Sequence, residues 1–211
     1  MLVDKAIIFV AGYGKRLRPW TLATPKPLLN YNGIPLLERL CLQAQAHGIR
    51  SLWLNPGYLG QHIKDFCGTG EQWDINIHYC DEPQDALLET GGTLNRIAPL
   101  INDRFWVLSG DVVLDWPATP KHTGEHVWLR HGSARDFSIK HDILQAEPQL
   151  TFSGVALLST DFVTAHPAQT MGGMIRKALQ RHTIHASILE GTWQNCNTPA
   201  DFISQDTLPL N

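Results

Sequence analysis

The chain has 211 residues, 43% hydrophobic and 18% charged, a balance that excludes a disordered or fibrous polypeptide. Lys+Arg 17 against Asp+Glu 20 leave a net charge of −3 at pH 7, so neither nucleic acid nor an anionic membrane surface is expected as a partner. Cys41, Cys67, Cys80 and Cys196 stand apart with no C-x-x-C pair, which argues against a zinc ribbon or a disulfide scaffold and predicts a reducing, cytoplasmic setting.

One domain over 1–211 is expected. No apolar run reaches the ~18–20 residues of a membrane span. Lys5–Val10 is an apolar run that reads as a strand covered on both faces. Pro35 opens a helix whose Leu36, Leu37, Leu40, Cys41 and Ala44 share one face, with His47 in the last turn and Gly48 ending it. A strand at Ser51–Asn55, a Pro56-Gly57 turn, a short helix near Leu59–Phe66 and a strand at Ile75–Cys80 follow. Next come a helix at about Thr93–Ile97 and a strand at Phe105–Leu108.

This alternation predicts an α/β fold with a mixed, mostly parallel central sheet flanked by helices. From Val112 to Pro148 prolines and glycines punctuate the chain, so 112–150 is expected to be loops with short strands, an irregular pocket wall or lid. A strand at Thr151–Leu158, a helix at Gly173–Arg181, a strand at Thr183–Leu189 and a terminal helix at Pro199–Gln205 complete the chain.

The first strand delivers Ala11-Gly-Tyr-Gly-Lys-Arg-Leu-Arg-Pro19, and Thr24-Pro-Lys-Pro-Leu28 follows. In an open α/β sheet the ligand crevice lies beyond the carboxyl ends of the strands. Gly12 and Gly14 let backbone approach an anion, and Lys15, Arg16, Arg18 and Lys26 concentrate positive charge there. A polyphosphate site needs that concentration. A glycine turn with a solvated basic rim has the same composition. Two familiar phosphate loops are excluded, because Arg16 follows Lys15 and Leu17 stands where G-x-G-x-x-G requires its third glycine.

Gly12-x-Gly14-x-Arg16 followed by Pro25-Lys26-Pro27-Leu28 resembles, in type and spacing, the signature of the nucleotidyltransferases that make nucleotide-sugars. Leu88-Glu-Thr-Gly-Gly92 is similar to the family's second, base-reading loop, and Leu108-Ser-Gly-Asp111 to its metal-aspartate segment. Thr151-Phe-Ser-Gly154 and Trp193–Pro199 resemble the sugar-pocket strand and the W-x-D-[VI]-G-T-P segment. Within the family the look is of the N-acetylmuramate-1-phosphate uridylyltransferase type. Mannose-1-phosphate guanylyltransferase-like and phosphocholine cytidylyltransferase-like proteins are also similar.

The resemblance implies a Rossmann-like nucleotidyltransferase fold and transfer of a nucleotidyl group from a nucleoside triphosphate to a sugar 1-phosphate, with Mg2+ as cofactor and cell-wall precursors as products. It implies catalytic roles for Arg16, Lys26 and Asp111, and nucleotide binding by Ala11, Gly12, Gly14, Lys15, Arg16, Lys26, Glu89, Thr90, Gly91 and Gly92. Thr90 is also a candidate helix N-cap. Sugar-phosphate contacts fall to Ser109, Asp136, Gly154 and Asn197, and the metal to Asp111 and Asn195.

In the Trp193–Pro199 segment two positions depart from the pattern, Asn195 replacing the second metal aspartate and Asn197 the following glycine; Val127–Arg135 also lacks the V-x-N-P run of close relatives, and an acidic-Lys-Pro element has no counterpart beyond Lys140. A non-catalytic relative that binds nucleotide or sugar phosphate is therefore a rival reading. His122-Thr-Gly-Glu-His126 spells H-x-x-E-H, a zinc-hydrolase motif that works only on a helix; Pro117, Pro120 and Gly124 argue against one.

Overall fold

The computed structural model describes residues 3–203, and the chain divides into two compact units. Among the described residues the first comprises Ile8–Leu87, Ser109–Trp116 and 191–203; the second comprises 3–7, Leu88–Leu108 and Pro117–Glu190. β1 (Lys5–Phe9) has residues in both, and Ala6, Ile7 and Ile8 are fully buried, as a strand covered on both faces requires.

In the first unit β2 (Asn30–Tyr31) and β3 (Ile34–Pro35) form a hairpin through Asn32-Gly33, both at positive φ, as a tight two-residue turn demands. α1 (Leu36–Ala46) buries the five residues expected from its periodicity. β4 (Ser51–Leu54) pairs in parallel with β5 (Asn76–Tyr79), Leu52 facing Ile77, and α2 (Gly60–Cys67) joins them. The strand order here is β1-β4-β5.

In the second unit α3 (Thr90–Ile101) is longer at both ends than the expected Thr93–Ile97. Gly91, Gly92 and Pro99 lower its intrinsic propensity, but Leu94, Ile97, Ala98 and Ile101 bury one face, and burial prevails. Glu89, not Thr90, is the N-cap residue; the Thr90 hydroxyl instead accepts from the Met171 N–H at 2.9 Å. β6 (Arg104–Ser109) follows with Phe105 to Leu108 buried.

The stretch 112–150 is more regular than its prolines and glycines suggest. It holds β7 (Val112–Leu114) of the first unit, then β8 (His126–Arg130), β9 (Phe137–Lys140) and the start of β10 (Ile143–Ser159). Pro148 does not break β10 because it sits on the exposed part of the strand, where the register with β9 shifts between Gln145 and Leu150. β10 runs antiparallel to β6, β8 and β9.

α4 (Thr160–Ala165) and α5 (Met171–Ala178) start where Ser159 and Thr170 hydroxyls accept from Phe162 N and Gly173 N, both at 3.1 Å. α5 thus begins two residues before the expected Gly173. β11 (His185–Ile188) lies parallel to β8, and the second unit's strand order is β11-β8-β10-β6-β1, with β9 on β10. The H-x-x-E-H residues form no helix, since His122 is in a loop and His126 opens β8.

Back in the first unit, β12 (Trp193–Asn195) pairs antiparallel with β7, and α6 (Pro199–Ile203) ends the described chain; the expected extension to Gln205 lies outside the described residues. The sheet is mixed, as expected. Among the described residues no helix is long and apolar enough to cross a membrane.

Candidate active site

Every member of the central cluster lies in the first unit. Where β1 ends, the Val10 N–H donates to Asn55 Oδ1 at 2.7 Å, and Asn55 Nδ2 donates to Glu82 Oε1 at 2.8 Å. Asn55 and Glu82 are buried, so this polar chain fixes the exit of the strand. Ala11 is buried, and Gly12 follows with open space where a Cβ would stand. Nothing within the protein requires glycine there, and the backbone at Gly12 is open to approach from outside. Gly14 has φ 61°, and a Cβ on it would lie 2.7 Å from Thr21 Cγ2, whose hydroxyl donates to Gly14 O at 2.8 Å. A 3-10 turn at Lys15–Leu17 seats Leu17 in the core and leaves Lys15 and Arg16 exposed. Arg16 makes no ion pair among the described residues.

Lys26 behaves differently from that rim. It sits in a 3-10 turn flanked by Pro25 and Pro27, is only 8% exposed, and donates from Nζ to Asp111 Oδ2 at 2.8 Å and to Asn197 Oδ1 at 2.5 Å. Asp111 is held by its neighbours. The Gly110 N–H donates to Phe9 O at 2.9 Å, and a Cβ on Gly110 would stand 2.3 Å from that oxygen. The Cys196 N–H donates to Asp111 O at 2.9 Å, and Asn195 faces Val112, the residue after Asp111, across the β7–β12 pair.

Asn195 Oδ1 is buried with no hydrogen-bond partner, a position in which a polar atom is costly unless something binds it. Asn197 is anchored by Asp201, whose Oδ2 accepts from the N–H groups of Asn197 and Thr198 at 2.8 and 2.7 Å. Burial alone would raise the Asp201 carboxyl; the Thr198 and Asn197 N–H groups outweigh it and hold the carboxyl below its usual value. Burial, then the Asp201 charge, pushes the Cys196 thiol up to about 12, so it stays protonated and is no nucleophile.

The Asp111 carboxylate and the Asn195 amide oxygen are donors of the kind Mg2+ takes. One carboxylate beside one orphaned amide oxygen fits an ion that commonly takes one or two carboxylates and completes its shell with substrate phosphates and water.

The remaining expected site residues fall at the β6 end and in the second unit. Ser109 closes β6. The N–H groups of Gly91 and Gly92 both donate to Gln169 O, at 3.0 and 3.3 Å, so these two donors at the start of α3 are occupied rather than free. Gly91 is glycine because a Cβ would lie 2.3 Å from Ala168 O. Asp136 pairs with Arg176 at 2.8 Å, and Arg176 stacks over Phe137 with 5.1 Å to the ring centre. Gly154 has φ 86° at the bulge between Phe152 and Val155. Asn55 and Glu82 escaped the sequence reading because their partners lie 45 and 27 residues away; Thr21 and Asp201 act on nearby Gly14, Asn197 and Thr198 through contacts that no pattern in the sequence marks.

The sequence profile of the family described as Nucleotidyl transferase matches residues 5–127. The N-acetylmuramate alpha-1-phosphate uridylyltransferase of Neisseria meningitidis serogroup B is 33% identical over 92% of this chain and 93% of its own length. The mannose-1-phosphate guanyltransferase of Gibberella zeae is 26% identical over 98% of this chain and 64% of its own. A solved UDP-glucose pyrophosphorylase, complexed with UDP-glucose, superposes with a TM-score of 0.77 at 16% identity over 95% of this chain and 96% of that one, a likeness of fold.

Proposed function

The chain belongs to the nucleotidyl transferase family as a sugar-1-phosphate nucleotidyltransferase, and from that premise we propose that it joins UTP to N-acetylmuramate 1-phosphate and releases pyrophosphate. A cytoplasmic setting suits these substrates and the four free cysteines. The observation that carries the reading is the buried Lys26 held between Asp111 and Asn197, with the open backbone of Gly12 in the same unit. The choice of base and sugar rests on the likeness to the Neisseria protein.

In the reaction an oxygen of the sugar phosphate attacks the α-phosphorus of the triphosphate, the bond to the β-phosphate oxygen breaks, and pyrophosphate departs with its electron pair. No protein nucleophile is required; the work is positioning and neutralising charge. Gly12 gives the phosphates access to backbone N–H groups, Arg16 offers a planar fork to the leaving phosphates, and Lys26 sets a compact cation against the α-phosphate. Asn197 keeps Lys26 in place when its partner Asp111 is otherwise engaged. Asp111 and Asn195 would hold Mg2+, which supplies further neutralisation of phosphate charge.

A pyrophosphate-release screen tests this, with UTP, GTP and CTP each paired with N-acetylmuramate 1-phosphate, mannose 1-phosphate, glucose 1-phosphate and phosphocholine. The expected result is UTP with N-acetylmuramate 1-phosphate leading at least tenfold, and Lys26→Ala lowering that rate at least tenfold, about 1.4 kcal/mol. A lead for another pair overturns the substrate assignment. Because Asn195 removes a charge from the metal site, a second reading is a relative that binds and does not turn over. Saturable UTP binding without pyrophosphate release from any pair selects it.

A further inference from the structure

In the second unit a cavity of about 300 Å3 lies beside the ends of α4 and α5, lined by Ala165, His166, Lys177, Gln180, Arg181 and His182. Each titratable side chain lining it is basic. Neither Lys177 nor Arg181 forms an ion pair among the described residues, and the lining holds no carboxylate to offset them.

His166 is the buried floor of this cluster at 6% exposure. Its Nδ1 lies 2.8 Å from Phe162 O, and since a carbonyl only accepts, Nδ1 carries the proton. The hydrogen bond of the ring to protein among the described residues is this one at Nδ1, which leaves Nε2 to the cavity. The His182 ring stands edge-on against it, with centres 4.5 Å apart at 82°. Lys177 spends one of its three N–H groups on Pro167 O at 3.3 Å and keeps the others.

Cations near a helix C-terminus ordinarily complement its dipole, and Lys177 in the last turn of α5 does so. The same account reaches Arg181 and His182, whose N–H groups both donate to Ala178 O at 2.9 Å, but it does not extend to a buried imidazole facing a cavity. A guanidinium fork, an ammonium and two imidazoles gathered with no acid among them match the oxygens of a tetrahedral dianion.

We propose that this cavity binds a phosphate group, either the free ion or a small phosphate ester. The test is an NMR titration of the imidazole signals of His166 and His182 in the full chain, with inorganic phosphate as the probe at constant ionic strength and chloride as the control. A Lys26→Ala background removes a principal phosphate contact of the first unit. Saturable shifts at His166 and His182 are expected there. Combining Lys177→Ala with Arg181→Ala should weaken them at least tenfold; both side chains are exposed, and an unchanged melting temperature will show that folding is intact. Parallel titrations with pyrophosphate and glycerol phosphate separate the sources: equal affinity means that the phosphate group alone is read, and preference for the ester means that its organic part is held too. Shifts that chloride reproduces, or that survive the double substitution, overturn the proposal.

Discussion

Asn195 is the residue on which the proposed Mg2+ site turns. Its buried, unbonded Oδ1 stands one strand away from Asp111, so a carboxylate there would add a metal ligand and, without metal, a repulsion. Two unit charges about 4 Å apart at an effective dielectric of about 20 interact by about 4 kcal/mol before solvation offsets. Asn195→Asp is therefore expected to melt below the parent protein in chelator and to regain that loss with Mg2+. Its turnover should rise most at limiting Mg2+ and little at saturation. Melting curves with and without Mg2+, beside an Mg2+ titration of rate, check both. An aspartate variant whose stability ignores Mg2+ removes position 195 from the metal shell.

At the scale of elements, two glycines in the same unit make opposite predictions. Gly110 lies where β6 hands over to β7, with a backbone oxygen 2.3 Å from its missing Cβ, and backbone cannot yield as a flexible side chain can. Gly110→Ala is expected to cost about 2–3 kcal/mol of stability and to displace Asp111. Gly12 has open space and no positive φ, so Gly12→Ala should unfold at the same denaturant concentration as the parent while binding UTP at least tenfold more weakly. Denaturant unfolding and nucleotide titration of the pair check this; equal UTP affinity in parent and Gly12→Ala would place the phosphates elsewhere. β1, α1, β4 and β5 were legible in advance because each element's burial follows its own periodicity. The full lengths of α3 and β10 were not, because Gly91, Pro99 and Pro148 read locally as breaks and are accommodated only by what packs or bulges around them.

For the molecule as a whole, acid is the stress to which the histidines respond. His126 is buried between His122, with Nδ1 to Nε2 at 2.8 Å, and Ser187, with Nε2 to Oγ at 3.0 Å; Arg104, Glu125 and His185 lie around it. Burial first, then the charges of His122, His185 and Arg104, push its pKa down to about 4. Folded His126 therefore binds fewer protons than the unfolded chain below the ordinary imidazole range. Stability from this group is complete above about pH 6.5 and is lost as pH falls toward 4, by at most about 3 kcal/mol. Unfolding free energies at pH 7, 5.5 and 4.5 should fall less steeply in His126→Gln than in the parent; equal slopes would mean that His126 titrates normally. The sequence alone settled the exit of a buried strand into a glycine- and cation-rich loop, the apolar face of α1, and a signature that names a family. Tertiary structure alone decided that Lys26 leaves the basic rim for Asp111 and Asn197, 85 and 171 positions away, that Gln169 takes the N–H groups of Gly91 and Gly92, and that Asn195 is left with an unmet oxygen. Periodicity records which face of an element leaves water, whereas the partner of a buried polar group is set by where distant segments of chain return.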